Sequence, residues 1–249
     1  QLESEDHAIK ISNELKKITS ELGINLIYKT SFDKANRTSL KGKRGLGLEK
    51  SLTIFDKIKK QVGVPVLTDV HTAEQCSIVS NHVDVLQIPA FLSRQTDILI
   101  AASNTGKPVN IKKGQFMSPE EMEFVVKKAQ STGNKSIYLC ERGYMFGYNN
   151  LVSDMRSLVV LKENDCPVVY DASHSVQRPG ANNGASSGDR RYISPLSKAA
   201  TAVGIDALFI ESHPNPKKSI SDADQAVSLK TLNEIIYRTE VMSELISNY

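Results

Sequence analysis

Apolar and polar positions along this chain switch repeatedly between two periods. Short runs rich in β-branched residues read as strands at 24–32 ("INLIYKTSF"), 64–70 ("VPVLTDV"), 83–90 ("VDVLQIPA"), 108–114 ("PVNIKKG"), 136–143 ("SIYLCERG"), 166–174 ("CPVVYDASH") and 207–214 ("ALFIESHP"). Between them the apolar residues recur at helical spacing, as in "LEKSLTIFDKIKKQV" (48–62), "SPEEMEFVVKKAQ" (118–130) and "PLSKAATAVG" (195–204). Ser118 is the expected N-cap of the second of these, with Pro119 at its first helical position, and Gly204 closes the third. A strand followed by a helix every 25 to 30 residues or so implies parallel strands joined by crossover helices. The chain opens on a helix, capped by Ser4 with Glu5 and Asp6 in its first turn, with no strand ahead of it. One strand upstream of Gln1 would complete eight βα units, so the expected fold is α/β, a (β/α)8 TIM barrel forming a single catalytic domain over residues 1–249. A doubly wound open sheet is the alternative, but no glycine-rich nucleotide turn of the GxGxxG or GxxxxGK[ST] type is present.

Each predicted strand begins apolar and finishes polar. The polar ends are Lys29, Asp69 with His71, Gln87, Lys112, Arg142, His174, and Glu211 with His213. Barrel active sites lie at this C-terminal rim. One such residue alone is more often a solvated strand end or a satisfied hydrogen bond; seven strands sharing the feature point to a site.

Composition narrows the class. With 249 residues, 40% of them hydrophobic, the chain can bury a sizeable core, and it holds no apolar run of the roughly 20 residues that span a bilayer. Nothing at its start reads as a signal peptide, so the expected compartment is the cytoplasm. Cys76, Cys140 and Cys166 form no CxxC pair or disulfide framework. A net charge of +3, with no basic run interleaved with aromatics, argues against nucleic acid.

Any strong positive field must therefore be local. The stretch "SFDKANRTS" (31–39) packs Lys34, Arg37, an amide and hydroxyls directly after an apolar run. Lys29, Lys34, Lys112 and Arg142 converge from three strands in the expected fold, which suits a dense anion such as a phosphorylated carboxylic acid. Arg37, Thr38 and Ser39 lie further out and could hold a second phosphate. A second constellation is His174, Glu211 and Asp222. One imidazole and two carboxylates suit a divalent metal of the zinc, iron or manganese kind and leave a position open. A lone histidine at a strand end is more often structural, and Asp222 could simply cap the following helix. Asp69 and His71 in "TDVH" read as orienters or proton-transfer groups. The segment Ser175–Arg191, "SVQRPGANNGASSGDRR", reads as a long glycine-rich loop, either a lid or simply disordered.

The motifs "KTSFDKANRTS", "LTDVH", "LQIPAFLSRQTD", "NIKKGQF", "ERGYMFGYNNLVSDM", "YDASHSVQ" and "FIESHPNP" resemble those of the 3-deoxy-D-manno-octulosonate 8-phosphate (Kdo 8-phosphate) synthase family, over essentially the whole chain. The resemblance implies a transferase that condenses phosphoenolpyruvate with D-arabinose 5-phosphate and releases phosphate by C–O cleavage, in lipopolysaccharide (Kdo) biosynthesis. It implies a cytoplasmic homotetramer, with no nucleic-acid or membrane partner. Carried over, it assigns phosphoenolpyruvate to Lys29, Lys34, Gln87, Pro89, Ala90, Lys112 and Arg142, and arabinose 5-phosphate to Asn36, Arg37 and Thr38. Catalytic roles fall to Lys34, Asp69, His71, Lys112 and His174, and metal ligation to His174, Glu211 and Asp222. A fourth ligand, expected to be a cysteine, would come from residues upstream of Gln1, and "SDA" around Asp222 resembles the metal-dependent members. Two departures stand out: the segment that precedes "QLES" in the family lies outside this sequence, and Asp189 replaces a usual glycine. The related 3-deoxy-D-arabino-heptulosonate 7-phosphate synthases carry a "KPRTS"-like segment where this chain has "KANRTS". Other readings are a Schiff-base aldolase with Lys112 as nucleophile and a non-catalytic phosphate-binding regulator.

Overall fold

The computed structural model describes all residues except 37–41, 183–184 and 248–249. The sheet strands are parallel in every pairing resolved and follow one another in chain order, β1 (Tyr28–Lys29), β2 (Val66–Asp69), β3 (Val85–Ile88), β4 (Val109–Lys112), β5 (Ile137–Glu141), β8 (Val168–Asp171) and β11 (Ala207–Phe209). A doubly wound sheet reverses its strand order at a switch point, whereas a (β/α)8 barrel does not. The fold class is therefore α/β of the TIM-barrel type, as the sequence pattern predicts.

The chain divides into two compact units, Gln1–Ile111 with Lys127–Ile137, and Lys112–Val126 with Tyr138–Tyr249. In the first, α1 (Glu5–Glu21) starts where expected: the Ser4 hydroxyl accepts the His7 N–H at 3.2 Å. Its buried residues Ala8, Ile11 and Leu15 lie on one stripe. α2 (Leu48–Val62) buries Ile54, Phe55, Ile58 and Val62 at helical spacing and stops at Gly63, whose φ of 70° is left-handed. Phe55 is wholly excluded from water, so truncating it to alanine costs about 3–5 kcal/mol. β2, β3 and β4 are buried at every position, so their polar residues Thr68, Asp69, Gln87, Asn110 and Lys112 are shielded from water along with the apolar ones. α3 (Ala73–Val79) and α4 (Thr96–Asn104) complete this unit.

The second unit carries β8, β11, most of β5 and the helices α6 (Arg156–Lys162), α7 (Ile193–Val203) and α8 (Leu229–Ser247). Gly204 closes α7 at φ 96°, as expected, although the helix begins at Ile193 and takes Pro195 into its first turn. α5 (Met122–Gln130) starts later than the cap pattern suggests. Glu121 reaches back to the Ser118 N–H at 3.0 Å, and Met122, Glu123 and Phe124 bond three residues back, so the first turn is wound tighter than an α-helix.

The long glycine-rich segment departs most from its reading. Gln177–Asn182 (β9) and Ala185–Gly188 (β10) pair antiparallel as a hairpin with an irregularity between Ala185 and Ser187. A smaller hairpin joins β6 (Tyr144–Met145) and β7 (Leu151–Val152). The parallel strands are also shorter than their apolar runs, because ladder bonding defines them and burial does not. Hydrogen bonds from Thr30 to Leu67, Val70 to Gln87 and Lys113 to Cys140 carry the pairing just past the ends of β1, β2 and β4.

Candidate active site

In the first unit a polar belt crosses four strands. Asp69 stands directly opposite Gln87, and Gln87 opposite Asn110, so all three lie on one face of the sheet. The Gln87 amide donates to Asp69 Oδ1 at 2.5 Å, and Asn110 Nδ2 donates to Gln87 Oε1 at 2.8 Å. Lys29 Nζ lies 3.0 Å from Asp69 Oδ2, which also accepts the Ser31 hydroxyl, and Lys29 donates to Ser31 Oγ at 2.7 Å. Burial opposes the charge on Asp69, but Lys29 and Lys34 with these hydrogen bonds outweigh it and hold the carboxyl well below the usual carboxylate range. A carboxylate so held positions its neighbours; it does not take up protons near neutrality. His71 differs. Burial pushes its pKa down, leaving a neutral imidazole that packs edge-on against Phe32 with Nδ1 buried and without a hydrogen bond. Of the two "TDVH" residues, Asp69 is thus held ionised, and His71 is a neutral imidazole with an unused ring nitrogen.

The start of the basic stretch is pinned. Arg44 grips Asp33 with two hydrogen bonds, at 2.8 and 2.5 Å, while the Lys34 N–H donates to the Arg44 carbonyl at 2.8 Å. Gly45 is required here: its φ is 127°, and a Cβ would lie 2.4 Å from the Phe32 carbonyl oxygen. Asn36 is exposed, and Arg37 and Thr38 lie outside the described residues. Pro89 is half-buried and Ala90 buried, on the 3-10 turn after β3.

In the second unit two cations are buried at strand ends. Lys112 is 6% and Arg142 5% exposed. Arg142 donates from Nη2 to Gln177 Oε1 at 2.6 Å, but its Nη1 is buried without a hydrogen bond, and burial lowers its pKa. A buried guanidinium with an unused donor is costly unless an anion meets it. Lys112 Nζ donates to Asp171 Oδ2 at 2.5 Å.

Asp171 also holds His174. It accepts from the His174 backbone N–H at 2.9 Å and faces the ring Nδ1 at 2.8 and 3.0 Å. Burial works against the Asp171 charge, yet His174 and Lys112 outweigh it and keep the carboxyl far below its ordinary value. With Nδ1–H turned to Asp171, Nε2 is the free ligand nitrogen, and it faces Glu211 Oε2 at 3.3 Å. Glu211 Oε2 is buried without a hydrogen bond, and one donor atom each from His174, Glu211 and Asp222 fall within 4.8 Å of one another. Asp222 sits in the left-handed region at φ 55° and accepts amide hydrogens from Gln177 at 3.2 Å and Gln225 at 2.9 Å. One aimed imidazole, an orphaned carboxylate oxygen and an anchored second carboxylate fit a divalent cation.

The expected His174, Glu211 and Asp222 are thus together, and Lys112 is buried against the Asp171 carboxylate and Arg142 against the Gln177 amide. The sequence reading passed over Ser31, Asn110, Asp171 and Gln177. Asp171 and Gln177 had a signal, since both sit inside "YDASHSVQ" flanking His174.

The sequence profile of the DAHP synthetase I family matches residues 1–247. The 2-dehydro-3-deoxyphosphooctonate aldolase of Agrobacterium fabrum (strain C58 / ATCC 33970) is 54% identical over 236 residues, covering 95% of this chain and 84% of that protein. That of Mesorhizobium japonicum (strain LMG 29417 / CECT 9101 / MAFF 303099) is 53% identical over 239 residues, 96% of this chain and 86% of that protein. The protein of the same name from Legionella pneumophila (strain Corby) is 52% identical over 248 residues, 100% of this chain and 90% of its own. With the strand order and the polar strand ends already in place, the chain belongs to the DAHP synthetase I family.

Proposed function

We infer that this chain is a Kdo 8-phosphate synthase, condensing phosphoenolpyruvate with D-arabinose 5-phosphate. The observation that carries the reading is identity above 50% over nearly the whole chain to enzymes named 2-dehydro-3-deoxyphosphooctonate aldolase. The buried pair Lys112 and Arg142, one with an unused donor, supports an anionic substrate. In the reaction C3 of the enolpyruvate attacks the aldehyde carbon, water adds at C2, and the tetrahedral intermediate loses phosphate with C–O cleavage.

On this reading Lys112 and Arg142 bind the phosphate and carboxylate of phosphoenolpyruvate. Their cost of burial is spent in advance, so negative charge developing nearby meets fixed cations without reorganisation, worth several kcal/mol. Lys29, Lys34 and Gln87, with the Pro89 and Ala90 backbone, are assigned to the same substrate by resemblance, Asp69 orienting Lys29 and Gln87 and His71 accepting a proton. Asn36, Arg37 and Thr38 are assigned to arabinose 5-phosphate. His174, Glu211 and Asp222 would hold a divalent metal (zinc, manganese or iron), which when bound can polarise an aldehyde or lower the pKa of water. We also propose a cytoplasmic homotetramer. In the described residues no helix is long and apolar enough to cross a membrane.

The Schiff-base alternative needs Lys112 as a free amine, whereas its Nζ is ion-paired to a wholly buried carboxylate. The test is incubation of the full-length protein with both substrates, following phosphate release and product mass. An eight-carbon phosphorylated product is expected. Turnover only with a four-carbon sugar phosphate would place the chain with the heptulosonate synthases, and tight binding without product would make it a regulator.

A further inference from the structure

Two bridges run from the anion-binding cations to the metal-ligand triad. Asp171 links Lys112 to His174, with its Oδ2 2.5 Å from Lys112 Nζ and 2.8 Å from His174 Nδ1. Gln177 links Arg142 to Asp222, its Oε1 accepting from Arg142 Nη2 at 2.6 Å and its Nε2 donating to Asp222 Oδ1 at 3.2 Å. Each bridge is one side chain long. The Gln177 bridge ends on Arg142, whose buried Nη1 has no hydrogen bond, and the Asp171 bridge ends on His174, whose Nε2 faces the buried Oε2 of Glu211, which has none either. We propose that Asp171 and Gln177 are positioning residues that couple anion binding at Lys112 and Arg142 to divalent-metal binding at His174, Glu211 and Asp222, so that each ligand tightens the other. The inference rests on the reading above for the identity of the natural anion.

The sign follows from competition for shared acceptors. In the free protein the Asp171 carboxylate divides its hydrogen bonding between Lys112 and His174. An anion that engages Lys112 draws the ammonium toward itself and leaves more of the carboxylate for the Nδ1–H of His174. A carboxylate pulling on that hydrogen raises the electron density at Nε2 and strengthens it as a ligand. Gln177 acts in the same direction through position: an anion seated on the buried Nη1 immobilises the guanidinium, and the guanidinium in turn holds the Gln177 amide whose N–H reaches Asp222 in its left-handed conformation. Linkage makes the effect reciprocal: whatever factor the anion adds to metal affinity, the metal adds to anion affinity. Direct attraction between metal and anion contributes as well, so the two bridges are distinguished by what their removal does to the factor.

The experiment titrates Mn2+ into the metal-free full-length protein, by electron paramagnetic resonance of the free ion, with and without saturating inorganic phosphate. The reciprocal titration of phosphate is made by calorimetry with and without Mn2+. In the wild type the two coupling factors should agree and be about fivefold or more. Asp171→Asn keeps the shape and removes the charge. It should weaken Mn2+ by about tenfold or more and bring the coupling factor at least halfway to one on a logarithmic scale. Gln177→Leu, at a half-buried position, should lower the factor with a smaller loss of Mn2+ affinity, and it answers the question if Asp171→Asn fails to fold. A wild-type factor of one, or variants that keep the wild-type factor, overturns the proposal. Because Mn2+ and inorganic phosphate are the probes, a protein that couples them but makes no eight-carbon product sinks the synthase reading alone. Product formation without coupling sinks this inference alone.

Discussion

Lys113 Nζ and Glu141 Oε2 face each other at 3.5 Å with both side chains fully excluded from water. The lysine also donates to the carbonyls of Gly114 at 3.1 Å and Met117 at 3.3 Å and lies 3.7 Å above the Tyr144 ring. Glu141 accepts from the Gly143 N–H at 2.5 Å and from the Ser157 hydroxyl at 3.1 Å. Burial lowers the Lys113 pKa. The two residues directly follow Lys112 and precede Arg142, so this pair fixes the backbone that aims both cations.

Removing one partner strands a buried charge. Lys113→Met should therefore destabilise the protein by about 3–5 kcal/mol, and the double variant Lys113→Met with Glu141→Gln by less than the single one. Urea unfolding of the three proteins measures this. A double variant as destabilised as Lys113→Met, or more so, would show that a stranded Glu141 charge is not what the single variant costs.

Asp69 makes stability depend on acid. Its folded pKa is depressed, so between that value and the unfolded value near 3.9 the unfolded chain binds more protons. The stabilisation is complete above about pH 4 and is lost as pH falls through the folded pKa. Asp69→Asn should cost about 1.5–3 kcal/mol at pH 7 and progressively less toward pH 3, read from melting temperatures across that range. A constant difference at all pH values contradicts the assignment.

Arg37→Ala should raise the KM for arabinose 5-phosphate by tenfold or more, about the cost of a lost guanidinium-to-phosphate pair, with little change in the KM for phosphoenolpyruvate. Lys112→Met should instead damage phosphoenolpyruvate binding and turnover together. Steady-state kinetics with each substrate varied in turn separates the two. An unchanged sugar-phosphate KM in Arg37→Ala would remove "KANRTS" from that role.

Prolonged chelation of the full-length protein should abolish turnover, and zinc, manganese or iron should restore it, because His174, Glu211 and Asp222 fit a divalent cation and "SDA" around Asp222 resembles the metal-dependent members. Full activity in protein shown by elemental analysis to be metal-free would place the chain in the metal-independent branch without touching the synthase reading.

Gly45→Ala should displace Lys34 and the Asp33–Arg44 pair without unfolding the protein. An alanine Cβ would sit 2.4 Å from the Phe32 oxygen, so the backbone must shift next to the Asp33 and Arg44 pair. The expected result is a raised KM for arabinose 5-phosphate with a melting temperature within a few degrees of the wild type. A wild-type KM would show that the Asp33–Arg44 clamp has no bearing on the use of the sugar phosphate.

Much of this protein is determined by the sequence itself, because the signals involved are local. The alternation of strand and helix periods, the Ser4 cap and the left-handed Gly204 stop depend on neighbours a few residues away, and all appear as the pattern predicts. The chemical types at the strand ends were legible for the same reason, since each is simply the polar residue that ends an apolar run. Only the tertiary structure decided who touches whom. Asn110 looked like one more residue of an apolar strand until the register set it opposite Gln87, and Asp171 like one more strand residue until Lys112 and His174 both closed on it. Gln177 joined Arg142 to Asp222 only because the segment after His174 folds as a hairpin, which its glycine-rich composition concealed. Periodicity reports that a face is buried, but it carries no information about the partner that buries it. Partners 35 to 59 residues apart in the chain are chosen by strand register and by the packing of whole elements, which no local window contains.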